Sequence, residues 1–216
     1  MLRASPGASV RAGVIGGDTG QAVVVSDDGT TIELTVSLDS APPPPMPVDL
    51  ILAMPRPKVL SRALETAAAF GLRRVDVVNA WRVDKSYLGS PRLEPSSIAE
   101  HVRLGAEQGV TTHLPVVELH RRLMPFLDER HALAAAATPA TRFLAHARGA
   151  ALIEHAWRAA SGPPLTLAIG PEGGWIDREL ETFAARGFVV VSLGAPVLRV
   201  EVALAAALGQ VALLLR

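Results

Sequence analysis

From residue 46 onward, short apolar segments alternate with amphipathic helical segments. A strand, helix, strand order of this kind predicts a parallel sheet covered by helices on both faces, so we expect an α/β fold. The segments that we assign to strands are VDLILAM (48–54), VDVVNA (75–80), LPVV (114–117), TRFLAHA (141–147), PLTLAIG (164–170) and FVVVSLG (188–194). Because such sheets bind ligands outside the carboxyl ends of their strands, a functional site is expected at that edge.

The helical segments carry signals for where they begin and end. Pro57 suits the first turn of the helix that follows the first strand. Ser97 and Glu100 have the spacing of a capping box, which predicts a second helix beginning there. Asp177 is placed as the N-cap of a later helix that ends at Gly187.

The N-terminal part of the chain has a different pattern. Apolar and polar residues alternate there in short runs, and Asp28-Gly29 is a hairpin turn signal. The stretch APPPPMPV (41–48) is a stiff spacer that we expect to stay out of any central strand. We therefore predict a small β-domain (1–45) followed by an α/β domain (46–216).

The composition excludes several classes of protein. The absence of cysteine excludes disulfides and thiolate chemistry and fits a reducing compartment. Lys+Arg and Asp+Glu are equal at 21 each, so bulk charge gives no argument for a nucleic-acid partner, and any site for one must be a local patch. The longest apolar run (202–215) is too short to span a bilayer and predicts a buried core helix, and no signal peptide is evident. We expect a cytoplasmic protein with no membrane partner and no metal, since the six histidines include no HExxH pair.

Three loops are expected side by side at the carboxyl edge of the sheet. In chain order they are AHA (145–147), GPEGG (170–174) and GAPVLR (194–199). The second loop lacks the Lys-Ser/Thr pair of a P-loop and the third glycine of a dinucleotide fingerprint. Its Glu172 repels phosphates and tolerates a cation, which favours an adenosine that carries a sulfonium. A tight turn from strand to helix is nevertheless the ordinary explanation of such glycines.

Two C-terminal segments resemble a known family. AIGPEGGWIDREL (168–180) followed by LGAPVLRVEVALAAALGQ (193–210) is similar to the paired signatures of the RsmE family, the SPOUT-class methyltransferases of 16S ribosomal RNA. The segment LAMPRPKVL to GSPRL (52–93) is similar to the first strand and helix of that family. The resemblance covers nearly the whole chain after the proline-rich spacer.

The resemblance implies a fold, a cofactor and partners. The expected fold is a SPOUT-type parallel sheet with a deep C-terminal trefoil knot, preceded by a PUA-like RNA-binding β-domain that is shortened at its N-terminus. The expected partners are 16S ribosomal RNA of the small subunit and a second copy of the chain, and the expected cofactor is S-adenosylmethionine. The residues expected to hold the cofactor are Leu144, Ala145, His146, Ile169, Gly170, Gly173, Gly174, Leu193, Gly194, Val197 and Leu198.

The implied reaction is methylation of ring nitrogen 3 of a uridine. That nitrogen is weakly acidic, so a general base and a cation both assist. Arg199 is the candidate cation, and either Glu201 or Glu172 is the candidate base, although an acid at Glu201 also simply favours a helix N-terminus. The residues expected to face RNA, near Trp81, are Arg56, Lys58, Arg82, Lys85 and Tyr87, although a solvated face is the usual explanation of such charges.

One position departs from the family pattern. The last motif has threonine where this chain has Val202. The lost hydroxyl changes activity or RNA choice if, in the family, it contacts the substrate or caps the last helix. Two alternatives therefore stay open, namely methylation of another RNA position and a catalytically inactive RNA-binding protein.

Overall fold

The computed structural model describes residues 5–135 and 141–216, so residues 1–4 of the predicted β-domain and residues 136–137 of the alanine run 134–137 lie outside the described residues. The strands are β1 (Ser9–Gly13), β2 (Thr19–Asp27), β3 (Ile32–Ser40), β4 (Met46–Ala53), β5 (Leu72–Val78), β6 (Val116–His120), β7 (Thr141–Ala145), β8 (Ala151–Leu152), β9 (Leu165–Ile169) and β10 (Val189–Ser192). The α-helices are α1 (Pro57–Ala69), α2 (Pro95–Gly109), α3 (Leu123–Ala135), α4 (Ile153–Arg158), α5 (Asp177–Ala184) and α6 (Val200–Leu214). Two short 3-10 helices, Lys85–Gly89 and Pro91–Leu93, lie between β5 and α2.

Seven strands form one parallel sheet in the order β6-β5-β4-β9-β7-β10-β8. Consecutive residues of β4 are buried, with Leu50, Ile51 and Leu52 at most 3% exposed. Because neighbouring residues of a strand point to opposite faces, both faces of the sheet are covered. The predicted α/β class with a parallel sheet is confirmed. The same order places the carboxyl ends of β9, β7 and β10 next to one another.

The proline-rich stretch is only partly a spacer. The prediction that it stays out of a central strand is wrong for residues 46–48, because β4 begins at Met46 and lies between β5 and β9. Pro47 is tolerated because the pairing of β4 with β5 shifts register between Met46 and Asp49, and the pairing with β9 begins only at Val48.

Two helix starts differ from the predicted positions. Helix α2 begins at Pro95 with Glu94 as N-cap, so the predicted capping box of Ser97 and Glu100 is wrong. Proline is well suited to a first helical position because its missing N–H needs no partner there, and this signal prevails. Helix α5 has Ile176 as its N-cap, one residue before the predicted Asp177.

The N-terminal strands form a separate antiparallel sheet in the order β1-β2-β3. The predicted hairpin at Asp28 is confirmed, since its carboxylate accepts the backbone N–H groups of Thr30 and Thr31 at 2.8 and 2.7 Å. This sheet is fixed to the rest of the chain by Thr112, whose carbonyl accepts the Gly16 N–H at 2.8 Å and whose hydroxyl donates to the Gly17 carbonyl at 2.7 Å.

The last helix is buried on one side only. Helix α6 contacts α1, α4 and β9, with Leu204, Leu208 and Val211 fully buried. Val202 and Leu213 on another side are 47% and 64% exposed. The prediction that this helix is buried is therefore correct for one of its faces. In residues 5–135 and 141–216, no helix combines the length and the apolar character needed to cross a bilayer.

Candidate functional site

A pocket of about 610 Å³ lies at the carboxyl edge of the sheet, where the loops after β7, β9 and β10 meet. The beginnings of α1 and α6 close its sides. All of the predicted cofactor residues except Leu144 and Gly173 line it, as do the three candidate catalytic residues. The lining residues of the three predicted loops and their strand ends are Ala145, His146, Ala147, Ile169, Gly170, Pro171, Glu172, Gly174, Ser192, Leu193, Gly194, Pro196, Val197, Leu198 and Arg199.

Leu144 and Gly173 lie outside the pocket for different reasons. Leu144 is fully buried in β7, in the hydrophobic core. The carbonyl of Gly173 accepts a hydrogen bond from the Arg82 guanidinium at 2.6 Å, and a side chain at Gly173 would meet Arg82 at 3.1 Å. Gly173 therefore faces the loop after β5.

Glu172 connects the GPEGG loop to helix α1. Its Oε1 accepts the backbone N–H of Arg56, the N-cap of α1, at 3.0 Å. The carboxylate thus satisfies an N–H group at a helix N-terminus, where negative charge is also favoured by the helix dipole. This contact also holds Arg56 at the wall of the pocket.

Trp175 lines the pocket and was missed by the sequence predictions. Its side chain is 3% exposed and packs edge to face on Phe183 with ring centroids 5.0 Å apart. The indole Nε1–H is buried and has no hydrogen-bond partner among the described residues. A buried donor without a partner costs on the order of 1–3 kcal/mol, so a ligand with an acceptor group would gain by pairing with it.

His146 is a neutral wall residue. Its Nδ1 accepts the backbone N–H of Arg148 at 3.1 Å, which leaves the proton of the neutral ring on Nε2. Burial and the positive charges of Arg148 and Arg82 lower the pKa of His146, against the opposing effect of Asp177. The ring is therefore uncharged at neutral pH.

Arg199 and Glu201 lie at the N-terminus of α6 and both line the pocket. In the part of the chain that the structure describes, neither side chain has a hydrogen-bond or salt-bridge partner, so both are available to a ligand. Val202 is absent from the pocket wall and points to the exposed side of α6, while Arg199 is the N-cap. Within one chain, a hydroxyl at position 202 would neither reach the pocket nor cap the helix.

The loop after β10 is held in place by polar contacts from two sides. Gln210 of α6 donates its Nε2–H to the Leu193 carbonyl at 3.2 Å. The Ser192 hydroxyl accepts the Gly194 N–H at 3.2 Å. Gln210, which interrupts the apolar run of α6, thus helps to shape the pocket.

The residues predicted to face RNA do not all lie in the same environment. Arg56 lines the pocket, whereas Lys58, Arg82 and Lys85 are exposed outside it. Tyr87 is half-buried and packs against the hydrophobic core. By contrast, Trp81 beside them is 78% exposed.

One cluster has the residue types of a metal site. Asp76, Glu118 and His120 lie close together on β5 and β6. Arg74 donates Nε–H to both Asp76 oxygens at 3.0 and 3.1 Å and also pairs with Glu118. His120 contacts Asp76 at 2.8 Å. Because the guanidinium groups of Arg74 and Arg130, the latter 3.5 Å from Asp76, already balance the two carboxylates, we interpret the cluster as a structural ion-pair network.

Comparison with known proteins places this chain in a family. The profile of a family described as "RNA methyltransferase domain" matches residues 42–212. A protein named ribosomal RNA small subunit methyltransferase E from Treponema pallidum is 27% identical over 208 residues, which is 96% of this chain and 77% of that protein. The protein of the same name from Mycobacterium bovis is 32% identical over 187 residues, covering 81% of this chain and 66% of that one.

Solved structures share the fold. A crystal structure of a ribosomal RNA small subunit methyltransferase E from Neisseria gonorrhoeae, bound to S-adenosyl methionine, is similar with a TM-score of 0.73. The similarity covers 97% of this chain and 84% of that one at 22% identity. Because the identity is low, this similarity shows a shared fold and no more.

Proposed function

Because this chain belongs to the RNA methyltransferase domain family, we propose that it transfers a methyl group from S-adenosylmethionine to ring nitrogen 3 of a uridine in 16S ribosomal RNA. The observation that carries the proposal is the pocket at the carboxyl edge of the sheet, which brings together three loops, Arg199 and Glu201. The names of the relatives from Treponema pallidum and Mycobacterium bovis support the small-subunit RNA as substrate. A ribosomal substrate also implies action in the cytoplasm.

The pocket residues fit S-adenosylmethionine. The volume of the pocket, about 610 Å³, is in the usual range for small-molecule sites. The unpaired Trp175 Nε1–H offers a donor to the polar groups of the ligand, and the neutral His146 adds no repulsion toward its positive sulfur. The cofactor supplies a methyl group activated on that sulfonium. The loop residues that line the pocket would hold it, and Leu144 supports them from the core.

Arg199 and Glu201 have the chemistry that the uridine needs. Glu201 accepts the proton of ring nitrogen 3, and Arg199 stabilises the negative charge that then spreads over the nitrogen and the adjacent carbonyl oxygens. Glu201 is assigned as the base because Glu172 already accepts the Arg56 N–H. Glu172 is assigned as a positioning residue for the GPEGG loop. Arg56, Lys58, Arg82 and Lys85 contact the RNA backbone, whereas Tyr87 packs against the hydrophobic core behind this surface.

We also propose the domain organisation and the knot implied by the resemblance. Residues 1–45 form a PUA-like RNA-binding domain, and residues 46–216 form the SPOUT domain whose last strands and helix are knotted. The separate sheet of β1–β3 and the similarity to the Neisseria gonorrhoeae structure support this organisation. The antiparallel sheet ends at Ser40 and the parallel sheet begins at Met46.

The exposed face of α6 supports a homodimer. Val202, Ala205, Gly209 and Leu213 follow one another at helical spacing and form an apolar stripe, on which Val202 and Leu213 are 47% and 64% exposed. Such a stripe on the surface of a monomer is unfavourable, whereas a second copy would bury it.

We therefore expect Leu213→Asp to convert the dimer into a monomer, because it places a charge in an apolar interface. Multi-angle light scattering coupled to gel filtration measures the mass. The matched control is Val25→Asp, since Val25 is 48% exposed on the antiparallel sheet. A monomeric wild-type protein at micromolar concentration, or a dimeric Leu213→Asp variant, would contradict this interface.

The affinity for S-adenosylmethionine is expected to fall at acidic pH, below the ordinary pKa of a histidine. The pKa of His146 lies below the ordinary histidine value, so the ring gains its proton only in that acidic range. Protonation removes the acceptor for the Arg148 N–H and adds a positive charge to the wall of the pocket that would hold the positively charged cofactor. Calorimetric titration at several pH values measures the effect. His146→Asn retains an acceptor that does not titrate and should flatten the acidic decline, whereas His155→Asn on α4 should not.

The proposed function is tested by methyl transfer to isolated ribosomal subunits. Labelled S-adenosylmethionine is incubated with the protein and either small or large subunits from a strain that lacks the corresponding activity. We expect label in the small-subunit RNA alone. Label in the large subunit would contradict the substrate, and no label in either despite cofactor binding would favour an inactive RNA-binding protein.

A further inference from the structure

We propose that the carboxyl edge of β4, β5 and β6, outside the cofactor pocket, is a platform for single-stranded RNA. In this platform Trp81 stacks on an unpaired base, and Arg121 and Arg122 bind the phosphates. The inference rests on the proposed function, since the platform would hold the RNA that flanks the target uridine.

A hydrogen bond anchors the backbone of Trp81, while its side chain is exposed. The backbone N–H of Trp81 donates to Oε1 of Glu179 at 2.8 Å, and Oε2 of Glu179 accepts the Ile176 N–H at 3.0 Å. Glu179 is only 8% exposed, so a buried carboxylate serves to fix this turn. The indole itself is 78% exposed. A large aromatic ring presented to solvent from a fixed turn is suited to stacking on a base.

Hydrogen bonds join the platform to the pocket. Arg82, next to Trp81, donates to the carbonyl of Gly173, whose neighbours Glu172 and Gly174 line the pocket. On the other side, the Asn79 amide Nδ2–H donates to the Arg121 carbonyl at 3.2 Å, and the Asn79 backbone N–H donates to the His120 carbonyl at 3.0 Å. The loops after β9, β5 and β6 therefore form one continuous edge.

This edge is positively charged although the chain has no net charge. Arg121 and Arg122 follow β6, and both side chains are exposed. Neither forms a salt bridge with any residue in the described ranges. The further exposed cations along the same edge are Arg56, Lys58, Arg82 and Lys85.

Two acidic side chains among these cations already accept hydrogen bonds from backbone N–H groups. Asp84 accepts the Ser86 backbone N–H at 2.9 Å, and Glu172 accepts that of Arg56 at 3.0 Å. Cations interleaved with an exposed aromatic ring are typical of surfaces for single-stranded nucleic acid. A single strand is favoured over a duplex because only unstacked bases can lie on the indole, and the target nitrogen itself must be unpaired.

The platform is tested by binding, without reference to activity. The fluorescence anisotropy of a labelled single-stranded oligouridine is measured with the wild-type protein at several salt concentrations. We expect Trp81→Ala to weaken binding by about tenfold through loss of stacking, and Trp81→Phe to restore most of the affinity. The double variant Arg121→Ala/Arg122→Ala should weaken binding and reduce the slope of log K against log salt by about 1.4. The control Arg158→Ala, on α4, should leave both quantities unchanged.

The outcomes distinguish the platform from the proposed function. Unchanged oligouridine binding in Trp81→Ala and in the double arginine variant, or failure of the wild-type protein to bind oligouridine, overturns the platform even if methyl transfer to small subunits proceeds. Loss of binding in these variants supports the platform even if no methyl transfer is found. Gel filtration of each variant, with an unchanged elution volume, shows that lost binding does not come from unfolding or altered assembly.

Discussion

The variant Gly174→Leu is expected to lose binding of S-adenosylmethionine, with an affinity at least about a hundredfold lower, equivalent to about 2.8 kcal/mol. Gly174 lines the pocket and has a φ of +70°, a conformation that side chains rarely adopt. A Cβ there would lie 3.9 Å from Nε2 of His146, so a longer side chain would extend along the pocket wall. Isothermal titration calorimetry with S-adenosylmethionine measures the change.

Backbone strain alone lowers stability, so the comparison needs a control with the same strain. Gly187, at the opposite edge of the sheet after α5, has a φ of +79° and is exposed. We expect Gly187→Leu to lower the melting temperature by a similar amount, since such strain costs about 1–3 kcal/mol, while retaining cofactor affinity. Equal affinities of the Gly174→Leu variant and the wild type would place the cofactor outside this pocket.

The variant Arg199→Ala is expected to transfer methyl groups about 10²–10³-fold more slowly, the effect usually seen when one group that stabilises transition-state charge is removed. Arg199 lines the pocket without a partner among the described residues, so its charge is available to the uridine. Because the residue acts on the acceptor base, cofactor affinity should change little. Single-turnover assays with saturating small subunits separate the two effects.

Two further variants make this prediction specific. Arg199→Lys retains the charge without the planar guanidinium and should recover part of the rate. Arg158→Ala, which removes an exposed arginine from α4, should transfer methyl groups at the wild-type rate. If Arg199→Ala retained the full rate, the assignment of the stabilising cation would be wrong.

The strands and the loops of the pocket were predictable because their signals are local. Apolar runs such as LTLAI in β9 and the glycines after it mark a strand end within a few residues. In an α/β fold, carboxyl ends of parallel strands share one edge, so the AHA, GPEGG and GAPVLR loops were expected together. Residues from all three loops line the pocket, as expected.

Contacts between distant residues could not be predicted from local patterns. Glu172 binds the Arg56 N–H across 116 positions of the chain, and Glu179 binds the Trp81 N–H across 98. The sequence alone shows only a carboxylate in a loop and another on a helix, with no sign of their backbone partners. The same limit explains why Trp175 was missed, since its unpaired indole N–H becomes meaningful only once its burial is known.

The sequence predictions for Pro47 and for the start of α2 are wrong because more than one local rule applies at each position. Pro47 lies in a central strand because a register shift removes the need for its N–H. At α2, the proline at position 95 and the Ser97-Glu100 pair both suggest a helix start, and only the three-dimensional structure shows that the proline prevails.

The most direct test of the proposed reaction is the identity of the methylated nucleoside. Small subunits methylated by this protein are digested to nucleosides, and the product is identified by mass spectrometry against authentic methylated standards. We predict one product, 3-methyluridine, derived from 16S ribosomal RNA. A methyl group on a ribose or on guanine would contradict the assignment of Arg199 and Glu201 to chemistry at a uridine ring nitrogen.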